Sequence, residues 1–189
     1  MKDSIQSNIK IGDRELIIKK VCMLGGYGVG KTSLVSHFVH SIFSEKYQIT
    51  LGVKIDKKTI AFQGQEVKLM LWDIAGEEDK FTIPPSYLKG SEGYLLVIDG
   101  TRESSYEQAL DIQNRVEETV GEIPFVVLLN KSDLTEEWEL DQKILDEMQD
   151  KNWQDKNWQN KNWQVIKTSA KLGTGVEESF TALATKMLL

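Results

Sequence analysis

Gly25-Gly26-Tyr27-Gly28-Val29-Gly30-Lys31-Thr32 stands directly after the apolar run Leu16 to Leu24 and directly before a stretch with Leu34, Val35, Phe38 and Val39 on one helical face. A chain built this way must deliver a strand, a tight turn and a helix in that order. The pattern is G-x-x-x-x-G-K-[ST] in the context that gives it meaning. Its glycines let successive backbone N–H groups point inward as an anion nest, and the positive end of the following helix adds to the attraction. Gly26, Tyr27, Gly28, Val29, Gly30, Lys31, Thr32 and Ser33 are therefore candidate phosphate-binding residues. Lys31 is placed to reach the β and γ phosphates, and the Thr32 hydroxyl to ligate Mg²⁺. The motif specifies a nucleoside triphosphate without naming its base.

The rest of the chain supplies the frame for such a loop. Further strand-like runs are Lys57 to Phe62, Glu66 to Trp72, Tyr94 to Asp99, Phe125 to Asn130 and Val165 to Thr168. With Leu16 to Leu24 they make six strands. Helical stretches at Lys31 to Ser41, Glu103 to Val120, Glu136 to Met148 and Val176 to Leu189 alternate with them, which predicts an α/β fold with a mostly parallel sheet and helices on both faces. Gln63-Gly64 reads as a hairpin turn, so the sheet is mixed at one edge. A length of 189 residues allows one domain. Residues 1–14 form an amino-terminal extension, read as either a hairpin around Gly12-Asp13 or a polar leader; residues 15–189 form the domain proper.

Residues 149–164 carry a tandem five-residue repeat with Trp153, Trp158 and Trp163. A five-residue step turns a helix by about 140° net and swaps faces in a strand, so neither element can bury all three rings together. One copy suffices to bridge this part of the chain, and the other two read as an insertion by duplication. Trp163 is expected to pack near the last strand, and Trp153 and Trp158 to protrude.

Composition narrows the function classes. A net charge of −6 gives no field for holding a phosphate backbone, so nucleic acid is not expected as a partner. No apolar run is long enough to span a bilayer, and a single cysteine, Cys22, makes no internal disulfide. These point to the cytoplasm.

Asn130-Lys131-Ser132-Asp133 directly follows a strand, at the end of the sheet where open α/β folds bind ligands. The Asp133 carboxylate can accept two hydrogen bonds from the N1 and N2 edge of guanine, which adenine cannot supply. Together with Ile49-Thr50-Leu51-Gly52-Val53, Trp72-Asp73-Ile74-Ala75-Gly76-Glu77-Glu78, Ser86-Tyr87-Leu88-Lys89-Gly90, Asp99-Gly100-Thr101 and Ser169-Ala170-Lys171, the chain resembles the small GTPases of the Ras superfamily, and the Rab branch best. The resemblance implies the small G-domain form of the phosphate-loop fold, GTP and GDP as ligands, and Mg²⁺. Thr50 would bind Mg²⁺ and sense the γ phosphate, Asp73 would hold Mg²⁺ through water, and the Gly76 amide would contact the γ phosphate. Phe43 would pack against the guanine, Lys131 would lie over its plane, and the Ala170 amide would donate to its O6, with Ser169 and Lys171 beside it. Asn130 would tie the base loop to the phosphate loop. Effectors and regulators would meet residues 43–55 and 76–90.

The chain departs from that pattern at four places. Tyr27 fills a phosphate-loop position that is usually small, and Glu77 stands where the family has the glutamine that orients the attacking water. Pro84-Pro85 stiffens the second of those segments. The last residues, Lys186 to Leu189, contain no cysteine to prenylate, so no direct membrane anchor is expected. The implied function is a GTPase switch with slow intrinsic hydrolysis, in which Lys31, Gly76 and Glu77 surround the reacting phosphate. A largely GTP-locked scaffold and an ATP-dependent phosphotransferase are the rivals, and Asp133 argues against the second.

Overall fold

The computed structural model describes residues 8–11, 14–44, 50–76, 83–140 and 163–189. One sheet contains β1 (Asn8–Ile11), β2 (Arg14–Leu24), β3 (Val53–Phe62), β4 (Gln65–Ile74), β5 (Gly93–Asp99), β6 (Phe125–Asn130) and β7 (Val165–Lys167). Six of these strands run in the order β3-β4-β2-β5-β6-β7, while β1 pairs only with β2. The β2–β4, β2–β5, β5–β6 and β6–β7 ladders are parallel, and β3–β4 and β1–β2 are antiparallel. The expected six strands are present, and the seventh comes from the amino-terminal stretch. Ile17 pairs with Val67 on one side and Asn8 on the other, and Val21 pairs with Leu71 and Gly93. Thus β1 lies beside the first half of β2, on the flank that β5 takes up only from Val21 onward.

Residue parity along the buried strands divides the core in two. Val21 and Met23, Leu69 and Leu71, Leu95 and Val97, and Val126 and Leu128 pack on one face under α1 (Lys31–His40) and the last helix. Cys22, Leu24, Ile74, Leu96, Ile98, Val127 and Leu129 pack on the other under α2 (Pro85–Leu88) and α3 (Ser104–Val120). That last helix, α4 (Val176–Leu188), meets α1 through Phe180 and Phe38, stacked with ring centroids 3.7 Å apart. The β3–β4 turn has positive φ at both Gln63 (48°) and Gly64 (79°), the backbone of a type I′ hairpin, whose twist suits flanking antiparallel strands.

The helix expected over Glu136 to Met148 does not begin where the sequence pattern put it. Thr135–Glu137 make a single 3₁₀ turn and Trp138 is extended, so no helix starts at Glu136. The amides of Glu139 and Leu140 instead donate to the Gly100 carbonyl, at 2.9 and 3.4 Å. A long-range partner therefore takes the donors that a helical turn would have used. Residues 141–148 lie outside the described residues, as do Trp153 and Trp158. Trp163 is buried and meets Phe125 edge-on, with centroids 5.7 Å apart.

Because every β2, β4, β5, β6 and β7 strand runs the same way, their carboxyl ends and the loops that follow share one end of the sheet. The Phe38–Phe180 stack fixes α1, which opens at that end. Phe180→Ala should lower unfolding free energy by about 3 to 5 kcal/mol, read from urea denaturation, and a loss under about 1 kcal/mol would show that the pair is not what seats α1.

Candidate functional site

Residues 25–30 bend from β2 into α1 at the carboxyl end of the sheet. The Lys31 ammonium turns back over this loop and donates to the carbonyls of Gly25 (2.9 Å) and Gly26 (2.8 Å). It is held there although nearly fully buried, with 6% exposure, which puts a fixed positive charge at the nest. The Leu34 amide bonds the Gly30 carbonyl at 3.0 Å as the first helical hydrogen bond. The amides before it have no intrahelical acceptor and face the site, as at any helix start.

Three oxygen-bearing side chains converge at the first turn of α1. The Thr32 hydroxyl donates to Asp73 Oδ2 at 2.6 Å and lies 2.8 Å from the Thr50 hydroxyl. Asp73 is fully buried, and its Oδ1 has no hydrogen-bond partner among the described residues. A buried carboxylate oxygen left without a donor is costly, and it suits a hard divalent cation, which takes oxygen ligands of this kind. The donor set thus fits Mg²⁺: Thr32, Thr50 and Asp73 would hold the ion, which would supply charge neutralisation for the phosphates.

Gly76, at the exit of β4, lies against the phosphate loop. A Cβ there would stand 2.5 Å from Tyr27 Cα and 2.6 Å from the Gly26 carbonyl oxygen, so only glycine fits without moving backbone. Its amide is therefore beside the loop that would hold the γ phosphate.

The base-side loops are tied together by Asn130. Its Nδ2 donates to the Val29 carbonyl at 2.9 Å, and its Oδ1 accepts from Thr168 Oγ1 (3.3 Å) and the Ala170 amide (3.2 Å). Ser169 Oγ donates to Asp133 Oδ1 at 2.6 Å and accepts from the Leu172 amide at 3.0 Å. The Lys131 ammonium meets Asp99 Oδ2 at 2.6 Å, and Asp99 Oδ1 accepts from the Thr101 amide and hydroxyl at 3.1 and 2.7 Å.

Of the residues singled out in the sequence, the structure brings together Gly26 to Ser33, Thr50, Asp73 and Gly76 on the phosphate side, and Asn130, Lys131, Asp133, Ser169 and Ala170 on the base side. The Ala170 amide is partnered by Asn130, and Lys131 is anchored to Asp99. Lys171 is solvent-exposed and Phe43 is 36% exposed. Glu77 lies outside the described residues, as do 45–49 and 78–82 of the segments 43–55 and 76–90. Sequence reasoning missed the Asp99–Lys131 pair, which the pairing of Asp99 with Asn130 in the β5–β6 ladder brings close. It also missed Arg102 and Gln108, which approach the phosphate loop from far along the chain and leave no mark in local spacing.

Burial pushes the Asp73 carboxyl above its ordinary range, against the opposing pull of the Thr32 hydroxyl and the Lys31 ammonium. A raised value means that the folded chain binds this proton more tightly than the unfolded one. The metal-free protein therefore gains stability as pH falls through that value, while Mg²⁺, which needs the carboxylate, binds less well. Asp73→Asn should leave the metal-free protein at least as stable as the parent in thermal melting. It should also abolish the slowing of nucleotide release by Mg²⁺, and release that still responds to Mg²⁺ would remove Asp73 from the cation site.

The model of the Ras family matches residues 20–189. The chain is 33% identical over 171 residues to "Ras-related protein Rab-13" of Mesocricetus auratus, covering 90% of this chain and 80% of that protein. It is 32% identical, with the same coverage, to the proteins of that name from Bos taurus and Canis lupus familiaris. These matches span both the phosphate loop and the base loops described above, and the chain accordingly belongs to the Ras family as a Rab-like small GTPase that binds GTP and GDP with Mg²⁺ and hydrolyses GTP.

Proposed function

We propose that this protein is a slow nucleotide-dependent switch in which residues 43–55 and 76–90 present different surfaces to effectors and regulators in the GTP and GDP states. The observation that carries the reading is the meeting of three groups of residues at one end of the sheet: Lys31 on the phosphate loop, the Thr32–Thr50–Asp73 oxygens, and the Asn130–Asp133–Ser169 network. Lys31 neutralises charge on the β and γ phosphates. Asp133 selects guanine, and Ser169 holds its carboxylate in place. Thr50 and Gly76 are the points at which the first and second segments sense the γ phosphate, Gly76 because its backbone packs directly on Tyr27. Phe43 packs against the base when nucleotide is bound, with Lys131 over the guanine plane and Ser169, Ala170 and Lys171 lining its edge. Guanine nucleotide and proteins are the partners; the acidic net charge speaks against nucleic acid. The buried free thiol of Cys22 accords with a reducing compartment, for which we propose the cytoplasm.

Slow hydrolysis follows from the residue after Gly76. A glutamine amide accepts a hydrogen bond from the attacking water and donates one to the γ-phosphoryl oxygens. An ionised Glu77 can only accept, and its charge is repelled by the triphosphate. Tyr27 adds bulk on the phosphate loop where a catalytic arginine from a partner would approach, a contribution worth about 10³ to 10⁵ in rate.

Two measurements test these assignments. Asp133→Asn removes the charge that accepts from N1 and N2, and should cost about 2 to 4 kcal/mol of GTP affinity; competition by ATP equal to that by GTP in the parent would refute guanine selection. In single-turnover hydrolysis of bound GTP, Glu77→Gln should be faster than the parent. Slowing on that substitution would mean that Glu77 itself acts as a general base.

A further inference from the structure

The connection between β5 and α3 sends a guanidinium to the phosphate loop. Arg102 Nη2 donates to the Tyr27 carbonyl at 2.6 Å, across 75 positions of sequence. Its Nη1 lies 4.0 Å from where a Cβ on Gly28 would stand, and its Nε is buried without an acceptor among the described residues. The backbone that carries it is tightly held. The Arg102 amide donates to the Asp99 carbonyl at 3.1 Å, and its own carbonyl accepts from the Ser105 amide (3.0 Å) and hydroxyl (2.6 Å). Ser105 is fully buried. Behind the same loop, Gln108 Oε1 occupies the space that a Cβ on Gly26 would need. The loop is thus backed by α3 at residue 26 and gripped by Arg102 at residue 27.

All described peptide bonds are trans, so the carbonyl of residue 27 and the N–H of residue 28 point in opposite directions. Holding one aims the other. Without that hold, the 27–28 peptide, which has Gly28 on its carboxyl side, can rotate as a unit between two orientations, and only one of them serves an anion nest.

We propose that Arg102 is a positioning residue for the nucleotide phosphates: it clamps the Tyr27 carbonyl so that the Gly28 N–H is turned into the anion nest before the ligand arrives. This rests on the reading of residues 25–32 as the phosphate site. A charge-assisted hydrogen bond to a carbonyl also polarises the peptide, which makes its N–H a stronger donor. The clamp therefore acts on affinity twice, through pre-organisation and through donor strength. It does so from within the chain, at the one loop residue whose side chain is bulky enough to disturb the approach of an outside cation.

The test uses the full chain with bound GDP. Parent, Arg102→Gln and Arg102→Lys are compared for GDP dissociation rate, for thermal melting, and for the ¹H–¹⁵N resonance of the Gly28 amide. Arg102→Gln should release GDP about tenfold faster, with the Gly28 amide proton moved upfield and the melting profile of the fold preserved. Arg102→Lys, which keeps the charge and a single donor, should fall between the two, and serves as the test variant if the glutamine variant does not fold. An unchanged release rate would overturn the proposal. Faster release with an unmoved Gly28 resonance would also overturn it, because the guanidinium would then act only as a distant charge. A parent that fails to retain GDP or GTP at all would instead overturn the reading of the phosphate site itself.

Discussion

The side-chain amide of Asn130 is the point through which the nucleotide site coheres. Its Nδ2 holds the phosphate loop at Val29, and its Oδ1 gathers Thr168 and the Ala170 amide from the segment after β7. Three loops, separated by about a hundred and by forty positions in sequence, are registered against one buried planar group. An amide suits this because it offers donors and acceptors in one plane, and a buried amide that lost either partner would be left with an unsatisfied group costing about 1 to 3 kcal/mol. The same group explains Gly30, since a Cβ there would run into Asn130 Nδ2. Phosphate recognition and base recognition are therefore not independent features of this fold.

Around that point the site is built from oppositely charged or complementary groups that neutralise one another across loops. Lys131 is paired with Asp99, Asp133 is held by Ser169, and Lys31 lies on the loop carbonyls. Asp73 is the exception, with one oxygen satisfied by Thr32 and the other without a donor among the described residues. A buried carboxylate oxygen of this kind is suited to ligating a hard divalent cation. On the far side of β2, Lys20 reaches the Tyr87 and Lys89 carbonyls at 2.7 and 2.8 Å and lies 3.7 Å over the Trp72 ring. The end of the second switch segment is thereby stitched to the central strand. This anchors one end of the segment while Gly76 anchors the other to the phosphate loop.

Much of this was legible in the chain itself. Glycine spacing followed by Lys31-Thr32 specifies a turn and a helix start wherever it occurs after a strand, because the constraint is on the local backbone. The alternation of Val21, Cys22, Met23 and Leu24 assigns each residue to a face, because strand parity is local too. Gln63-Gly64 announces its hairpin for the same reason. The helical start expected at Glu136 failed where locality failed: the Gly100 carbonyl, far back in the chain, claimed the amides of Glu139 and Leu140. The seventh strand was left open between a hairpin and a polar leader, since Asn8–Ile11 carries too few apolar residues for pattern to decide between pairing and solvation.

The sequence by itself determined the six strands of the main path and the turn and helix start of the phosphate loop, which rest on residues within a few positions of one another. Tertiary structure alone decided which distant groups meet: Asp99 with Lys131, Arg102 with the Tyr27 carbonyl, Gln108 behind Gly26, and Thr50 with Thr32. The physical reason is that a hydrogen bond is made by position and direction in space. A parallel sheet sets those positions by gathering strand ends from across the whole chain, and no spacing along the sequence records the result.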